Sequence, residues 1–300
     1  MKIINLRMHQ LRRLKELELP VGILNTEALM LILNKKQAKT KNGGRMLLKY
    51  LDAQDDEKVM ARKMYTINML NGSSEYQNIE ELIIPDHVVV VEGKIAGFAM
   101  PLMENHRNLG NVIKDDNVEF KNKFEYLSQV GNIIHKVKHA HDKNFIMRFG
   151  DLNEFNFIID SDDKVNAIDL DSAYVGQDEP SNSAYYLLKN PYIKMVKEKY
   201  KANDQGVLIP SENTDLYCYN MIILHTLAKE PLFKVDMATY YNYLEYLREI
   251  GIDKELVQCF SNIYLPMDNI NPRELLLDIK EEVAEQSSFK TFKKEYKINK

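Results

Sequence analysis

The most constraining feature of this 300-residue sequence is that strand-type and helix-type patterns are segregated along it. Up to Met103, short apolar runs alternate with turns, and Ala28–Leu33 and Arg45–Leu51 are typical of neighbouring strands. Beyond Met103, apolar residues recur every three or four positions, as in packed helices. Strands followed by helices predict an α+β fold.

One amphipathic helix interrupts the early strands. Asp55–Leu70 has apolar residues at helical spacing and acidic residues in its first turn, where the helix dipole favours them. A hairpin follows, with strands at His87–Val91 and Lys94–Met103, and Leu82–Ile84 is a further short apolar segment. Because Pro101 cannot donate to a strand ladder, the last strand should end there. The predicted units are residues 1–103 and residues 104–300.

The helical part contains a hairpin that carries polar residues. Phe124–His141 and Thr214–Ala228 are predicted helices, and between them lie the apolar segments Phe155–Ile159 and Val165–Leu170. A turn-rich SDDK sequence separates the two segments. The polar residues in and beside this hairpin are therefore candidates for a functional site.

Composition and charge exclude several classes of partner. There are 40 Lys and Arg against 44 Asp and Glu, a net charge of −4, so no overall positive field attracts nucleic acid or anionic membranes. Cys218 and Cys259 are too few for a disulfide framework or a zinc site. No apolar run is long enough to span a membrane. We expect a cytoplasmic protein, and interpret the basic stretch at 35–42 as a solvated loop rather than a nucleic-acid site.

Three side chains in this region suit phosphoryl transfer to a hydroxyl group. Asp151 lies in the segment GDLNEFN, Asn156 follows five residues later, and Asp169 comes after the second strand of the hairpin. The reaction needs an acceptor for the hydroxyl proton, oxygen ligands for Mg²⁺ and a cation facing the nucleotide phosphates. Such residues can converge at one end of a hairpin. The alternative is that Asp151 and Asn156 only cap turns.

In order and spacing, these residues resemble the protein-kinase-like superfamily, whose catalytic loop has Asp and Asn separated by four residues and whose metal-binding Asp follows the next hairpin. The resemblance implies a bilobal fold with an antiparallel-sheet N-lobe and a mainly helical C-lobe. It also implies ATP and Mg²⁺ as cofactors, Asp151 and Asn156 as catalytic residues, and Asn156 and Asp169 as metal ligands.

The resemblance extends to residues outside the hairpin. Lys49 resembles the strand lysine that contacts the nucleotide phosphates; the alternative is a solvated edge residue. Met100, Pro101 and Met103 are similar to the hinge that borders the nucleotide. Asp215 is similar to the buried aspartate that holds the catalytic loop from behind, which is a scaffold role.

Two features of the first unit depart from the kinase pattern. The segment around Gly22 has no GxGxxG, so the usual backbone cradle for phosphates is missing. The helix should offer a glutamate to Lys49, but its only one is Glu57, near its start. Lys63 occupies the middle of the helix, and because two like charges repel, we expect Lys63 to point to solvent.

The catalytic segments also depart from it. Phe149 and Gly150 replace the usual His and Arg, so switching through a phosphorylated activation segment is not expected. Asn153 replaces a lysine found in Ser/Thr kinases, and Asp171 replaces the glycine of the DFG-type triplet. Asp171 has two interpretations, a second metal ligand or a solvent-facing carboxylate.

Three functional interpretations follow. The first is an ATP- and Mg²⁺-dependent phosphotransferase of atypical type, with a protein Ser/Thr hydroxyl as the favoured acceptor. The second is a kinase that acts on the hydroxyl of a small molecule. The third is a pseudokinase, a scaffold that binds a partner or a nucleotide without transferring phosphate. No nucleic-acid or membrane partner is expected from the sequence.

Overall fold

The computed structural model describes residues 1–17, 28–40, 43–51, 56–140, 145–176, 209–262 and 269–296. Within these ranges the chain forms a six-stranded sheet, a three-stranded sheet and a set of helices. The α+β class predicted from the sequence is confirmed at this level.

All six strands of the larger sheet lie before Met103. Its strands lie in the order β1-β5-β6-β4-β3-β2. Their bounds are β1 Lys2–Leu6, β2 Lys15–Glu16, β3 Ala28–Leu33, β4 Met46–Leu51, β5 His87–Val91 and β6 Lys94–Pro101. The strands predicted over 28–33, 45–51, 87–91 and 94–103 are confirmed with small changes of boundary.

The prediction of a purely antiparallel sheet is wrong at one edge. β1 runs parallel to β5, with Lys2 opposite His87 and Leu6 opposite Val91. Parallel neighbours need a long connection, and the chain between β1 and β5 supplies it. The short apolar segment Leu82–Ile84 forms no strand of either sheet; Leu82 forms an isolated bridge, to Ala167.

The helices follow the apolar periodicity. Five of the described helices lie before residue 140: α1 Met8–Leu11, α2 Glu57–Gly72, α3 Ser74–Gln77, α4 Leu109–Lys114 and α5 Phe120–His139. In the described part of the chain after residue 208 lie α6 Glu212–Ala228, α7 Met237–Glu249, α8 Lys254–Ser261, α9 Glu281–Gln286 and α10 Phe289–Glu295. In the described ranges no helix is long and apolar enough to cross a membrane.

Helix α2 covers the sheet face that carries Lys49. In the β4–β6 ladder Lys49 lies opposite Phe98, and directly paired residues share a face. Phe98 belongs to one apolar cluster with Met60 and Ile67 of α2. The Asp56 carboxylate caps α2 by accepting from two backbone N–H groups. This packing brings the middle of α2 over Lys49.

The smaller sheet begins a few residues after the last strand of the larger one. β7 (Arg107–Asn108) pairs with β8 (Phe157–Ile159), which forms the predicted hairpin with β9 (Val165–Ala167). The main core of the helical part surrounds this sheet. The tyrosine-rich α7 contributes Tyr240, Tyr243 and Tyr246 to that core, as helical spacing predicts. Cys218 and Cys259 are free and buried.

Gly97 provides a test of how tightly β4 is held. A Cβ at this position would lie 2.0 Å from the carbonyl oxygen of Lys49. We expect Gly97→Ala to displace β4 and lower the free energy of unfolding by about 3 kcal/mol, measured by urea denaturation. Gly72→Ala is the control, because its Cβ would meet nothing within 4 Å. Equal stability of both variants would contradict the close approach.

Candidate active site

The centre of the candidate site is a buried set of charges that joins the two sheets. The Lys49 ammonium donates to Asp169 Oδ1, and to both oxygens of Asp171 at 2.9 and 3.1 Å. The Lys49 side chain is only 3% exposed, so the solvated-edge alternative is wrong. Two residues predicted for one site, Lys49 and Asp169, are therefore in direct contact.

Lys63 completes this set, and the prediction that it points to solvent is wrong. Its ammonium donates to Asp171 Oδ2 at 2.9 Å and to Ser172 Oγ at 3.1 Å, and its side chain is 2% exposed. Asp171 lies between the two lysines and supplies the negative charge that lets both be buried. Glu57, the only glutamate of α2, is exposed.

A single turn of 3-10 helix after β9 places the two carboxylates. Leu170–Ser172 forms this turn, and Asp169 precedes it in the left-handed conformation with φ 65°. Asp and Asn tolerate this conformation better than most residues. The turn buries Asp171 fully and leaves the Asp169 side chain 27% exposed. The solvent-facing interpretation of Asp171 is therefore wrong.

The neighbouring charges shift the protonation equilibria in opposite directions. Burial lowers the pKa of Lys49, but Asp169 and Asp171 outweigh it and hold that pKa well above its ordinary value. Burial raises the pKa of Asp171, but Lys49 and Lys63 pull it well below the ordinary range. Burial raises the pKa of Asp169, against the attraction of Lys49 and with the help of the Asp171 charge. These charges therefore favour the ionised form of Asp171.

The loop from Gly150 to Asn156 is held together by the amide side chains. Asn156 Nδ2 donates to the backbone oxygen of Asp151 at 2.9 Å, and Asn153 Nδ2 donates to the same oxygen at 3.3 Å. The backbone N–H of Ile168, next to Asp169, donates to the backbone oxygen of Asn156 at 2.9 Å. These bonds connect Asp151, Asn156 and the turn at Asp169 into one unit.

Asp215 supports this loop from below, as predicted. It is buried in the first turn of α6, and its carboxylate accepts from the backbone N–H groups of Phe149 at 3.1 Å and Gly150 at 3.3 Å. Gly150 has φ 74°, a conformation that disfavours other residues. Asp215 therefore fixes the backbone that leads into Asp151.

Asp215 also predicts a pH dependence of stability. Burial raises its pKa to about 7, although the N–H groups of Phe149 and Gly150 lower it. Because the folded state holds the proton more tightly, this contribution to stability is full below the ordinary pKa and is lost as pH rises through about 7. Asp215→Asn cannot ionise. We expect the wild type to have the higher Tm at about pH 4, and the difference between the two Tm values to become smaller toward about pH 8. A difference that stays constant with pH would contradict this prediction.

The predicted hinge residues lie at the end of β6. Met100 pairs with Leu47, on the same face as Lys49, and is 4% exposed. Pro101 is the last residue of the strand, and Met103 is half-buried two residues later. Met100 and Pro101 therefore border the strand of Lys49 from the neighbouring strand. Gly22 and the segment expected near the phosphates lie outside the described residues.

The residues present fit a magnesium ion that is shared with a nucleotide. Asn156 commits its amide nitrogen to Asp151, which leaves its oxygen for a cation, and Asp169 provides a partly exposed carboxylate. No cluster of three or more His, Cys, Asp or Glu in the described ranges could hold a metal. Magnesium commonly takes one or two protein ligands and completes its shell with phosphates and water.

The geometry also identifies a residue pair that the sequence analysis missed. Lys63 lies three residues after Met60 and four before Ile67, in the middle of the buried stripe of α2. A lysine there needs a buried carboxylate, and Asp171 supplies it.

Comparison of the chain with protein-family models and with curated proteins found no match.

Proposed function

We propose that the protein is an ATP- and Mg²⁺-dependent phosphotransferase of the protein-kinase-like type, with bilobal architecture and the two units divided near Met103. The observation that carries the proposal is the contact between Lys49 and Asp169, which are 120 positions apart in the sequence. Asp151 and Asn156 lie in the loop bonded to the same turn. Asp151, Asn156 and Asp169 were predicted for one site from their order and spacing, and Lys49 from the resemblance to the protein-kinase-like superfamily.

Each residue has a role in this proposal. Lys49 contacts the α- and β-phosphates of ATP, while Asn156 and Asp169 hold Mg²⁺, which when bound supplies charge neutralisation at the phosphate oxygens. Asp151 orients the acceptor hydroxyl and takes its proton as the oxygen attacks the γ-phosphorus and ADP leaves. Met100, Pro101 and Met103 border the adenine. A protein Ser or Thr hydroxyl is the favoured acceptor, and a small-molecule hydroxyl is the alternative.

One observation favours a pseudokinase as a second candidate. The Lys49 ammonium already has two carboxylate partners, Asp169 and Asp171, and this pairing weakens its attraction for phosphates. A scaffold that binds a partner, with or without a nucleotide, has no need for transfer. Against it, such a scaffold also has no need for Asp151 and Asn156 in one bonded loop.

Two measurements on the wild-type protein separate these candidates. A melting curve with and without Mg·ATP tests nucleotide binding, and transfer from labelled ATP to a protein panel and to a metabolite panel tests the acceptor. We expect a raised Tm and labelled protein. Stabilisation without transfer to either panel would favour the pseudokinase, and no stabilisation would contradict nucleotide binding.

A further inference from the structure

Helix α2 is tied to the turn after β9 by polar bonds that are buried. Besides the two bonds of Lys63, the Thr66 hydroxyl donates to the backbone oxygen of Ala173 at 3.2 Å. Thr66, Ser172 and Asp171 are all buried. Each bond therefore replaces water on both partners, and together the bonds join α2 to the turn.

The charges in this contact form a balanced set. Among the described residues, two ammonium groups, Lys49 and Lys63, face two carboxylates, Asp169 and Asp171. Asp171 Oδ2 lies 3.1 Å from the Lys49 ammonium and 2.9 Å from the Lys63 ammonium, so one oxygen is shared by both. Without Lys63, the single charge of Lys49 would face two carboxylates and little positive charge would remain for a phosphate.

We infer that Lys63 and Asp171 are positioning residues that hold Lys49 and preserve its charge for the nucleotide phosphates. This inference rests on the proposed function, because it assigns a purpose to Lys49. Asp171 holds the ammonium of Lys49 with both of its oxygens, and Lys63 neutralises Asp171. Asp169 then has no need to hold Lys49 in place and is available to the metal.

The first test changes the charge of residue 63 alone. Lys63→Arg keeps the charge, and we expect apparent Mg·ATP affinity within about threefold of wild type. Lys63→Met removes it, and we expect affinity at least about tenfold weaker. Lys58→Glu, at an exposed position of the same helix, is the control and should bind like wild type. Affinity is measured with a fluorescent nucleotide at a temperature where every variant is folded, as judged by circular dichroism.

The second test moves the carboxylate from the turn to the helix. Lys63→Glu alone puts a third carboxylate beside one ammonium, and we expect a large loss of Tm and of Mg·ATP affinity. Adding Asp171→Gly removes the competing carboxylate and lets residue 63 pair with Lys49. We expect the double variant to regain Tm and at least about tenfold in affinity over Lys63→Glu. If Lys63→Glu does not fold, recovery of folding in the double variant is the supporting result.

The outcomes separate the inference from the proposed function. Failure of the wild-type protein to bind Mg·ATP would overturn both. Binding by wild type with equal affinity in Lys63→Met and Lys63→Arg would overturn the inference alone, because a merely structural lysine changes Tm and leaves affinity unchanged. A double variant no better than Lys63→Glu in either Tm or affinity would overturn it too.

Discussion

Asp169→Asn is expected to abolish the thermal stabilisation of the protein by Mg·ATP. For wild type, a ligand at about 100-fold over its Kd adds about 2.7 kcal/mol to the free energy of unfolding. The variant removes the charge that magnesium needs while the amide tolerates the left-handed conformation of residue 169. Lys49 keeps Asp171 as its partner, so the fold should persist. Melting curves with and without Mg·ATP measure the effect.

The control for this prediction lies in the same hairpin. Asp163 is exposed in the turn between β8 and β9, and its φ of 58° is close to that of Asp169. Asp163→Asn therefore makes the same chemical change in the same backbone conformation, away from Lys49. It should keep the full Mg·ATP shift. An unchanged shift in Asp169→Asn would contradict the assigned metal role.

Asp151→Asn is expected to slow phosphate transfer by about 10²- to 10⁴-fold while leaving Mg·ATP binding intact. Asn153 and Asn156 donate to the backbone oxygen of Asp151, which the substitution keeps. The substitution changes the longer bond, in which Asn153 Nδ2 donates to Asp151 Oδ2 at 3.5 Å. The carboxylate that accepts the hydroxyl proton is lost. Initial rates of transfer from labelled ATP, compared with the Mg·ATP melting shift, measure the two effects separately.

The same control serves here, because Asp163→Asn should transfer at the wild-type rate. A variant that loses transfer together with the Mg·ATP shift would indicate that Asp151 contributes to nucleotide binding or to the loop fold. Transfer at an undiminished rate would contradict its role as a proton acceptor.

Local patterns predicted most of the elements, because each was set by its own residues. The apolar runs at Ala28–Leu33 and His87–Val91 and the long helical periodicity of α5 appear in the structure with small shifts of boundary. The parallel pairing of β1 with β5 was not predictable in this way. Which strand β1 pairs with, and in which direction, depends on the whole chain and leaves no pattern in the residues of β1 itself.

The site was predictable in its members and less so in its charges. The resemblance to the protein-kinase-like superfamily implied that Lys49 and Asp169 belong to one site, and they are in contact in the structure. The prediction for Lys63 was wrong because it rested only on the repulsion between Lys63 and Lys49. The prediction did not include Asp171. A carboxylate between the two ammonium groups compensates both positive charges, so that both lysines can be buried. The position of Lys63 within the apolar stripe was the available signal.

The sharing of Asp171 by two lysines has an evolutionary consequence. A substitution at residue 63 or residue 171 alone leaves an uncompensated charge in a fully enclosed place, so most single steps are disfavoured. In homologues of this chain, residues 63 and 171 should therefore change together, or through an intermediate sequence that carries no charge at either position. In a sequence alignment, these two positions, 108 residues apart, would then covary.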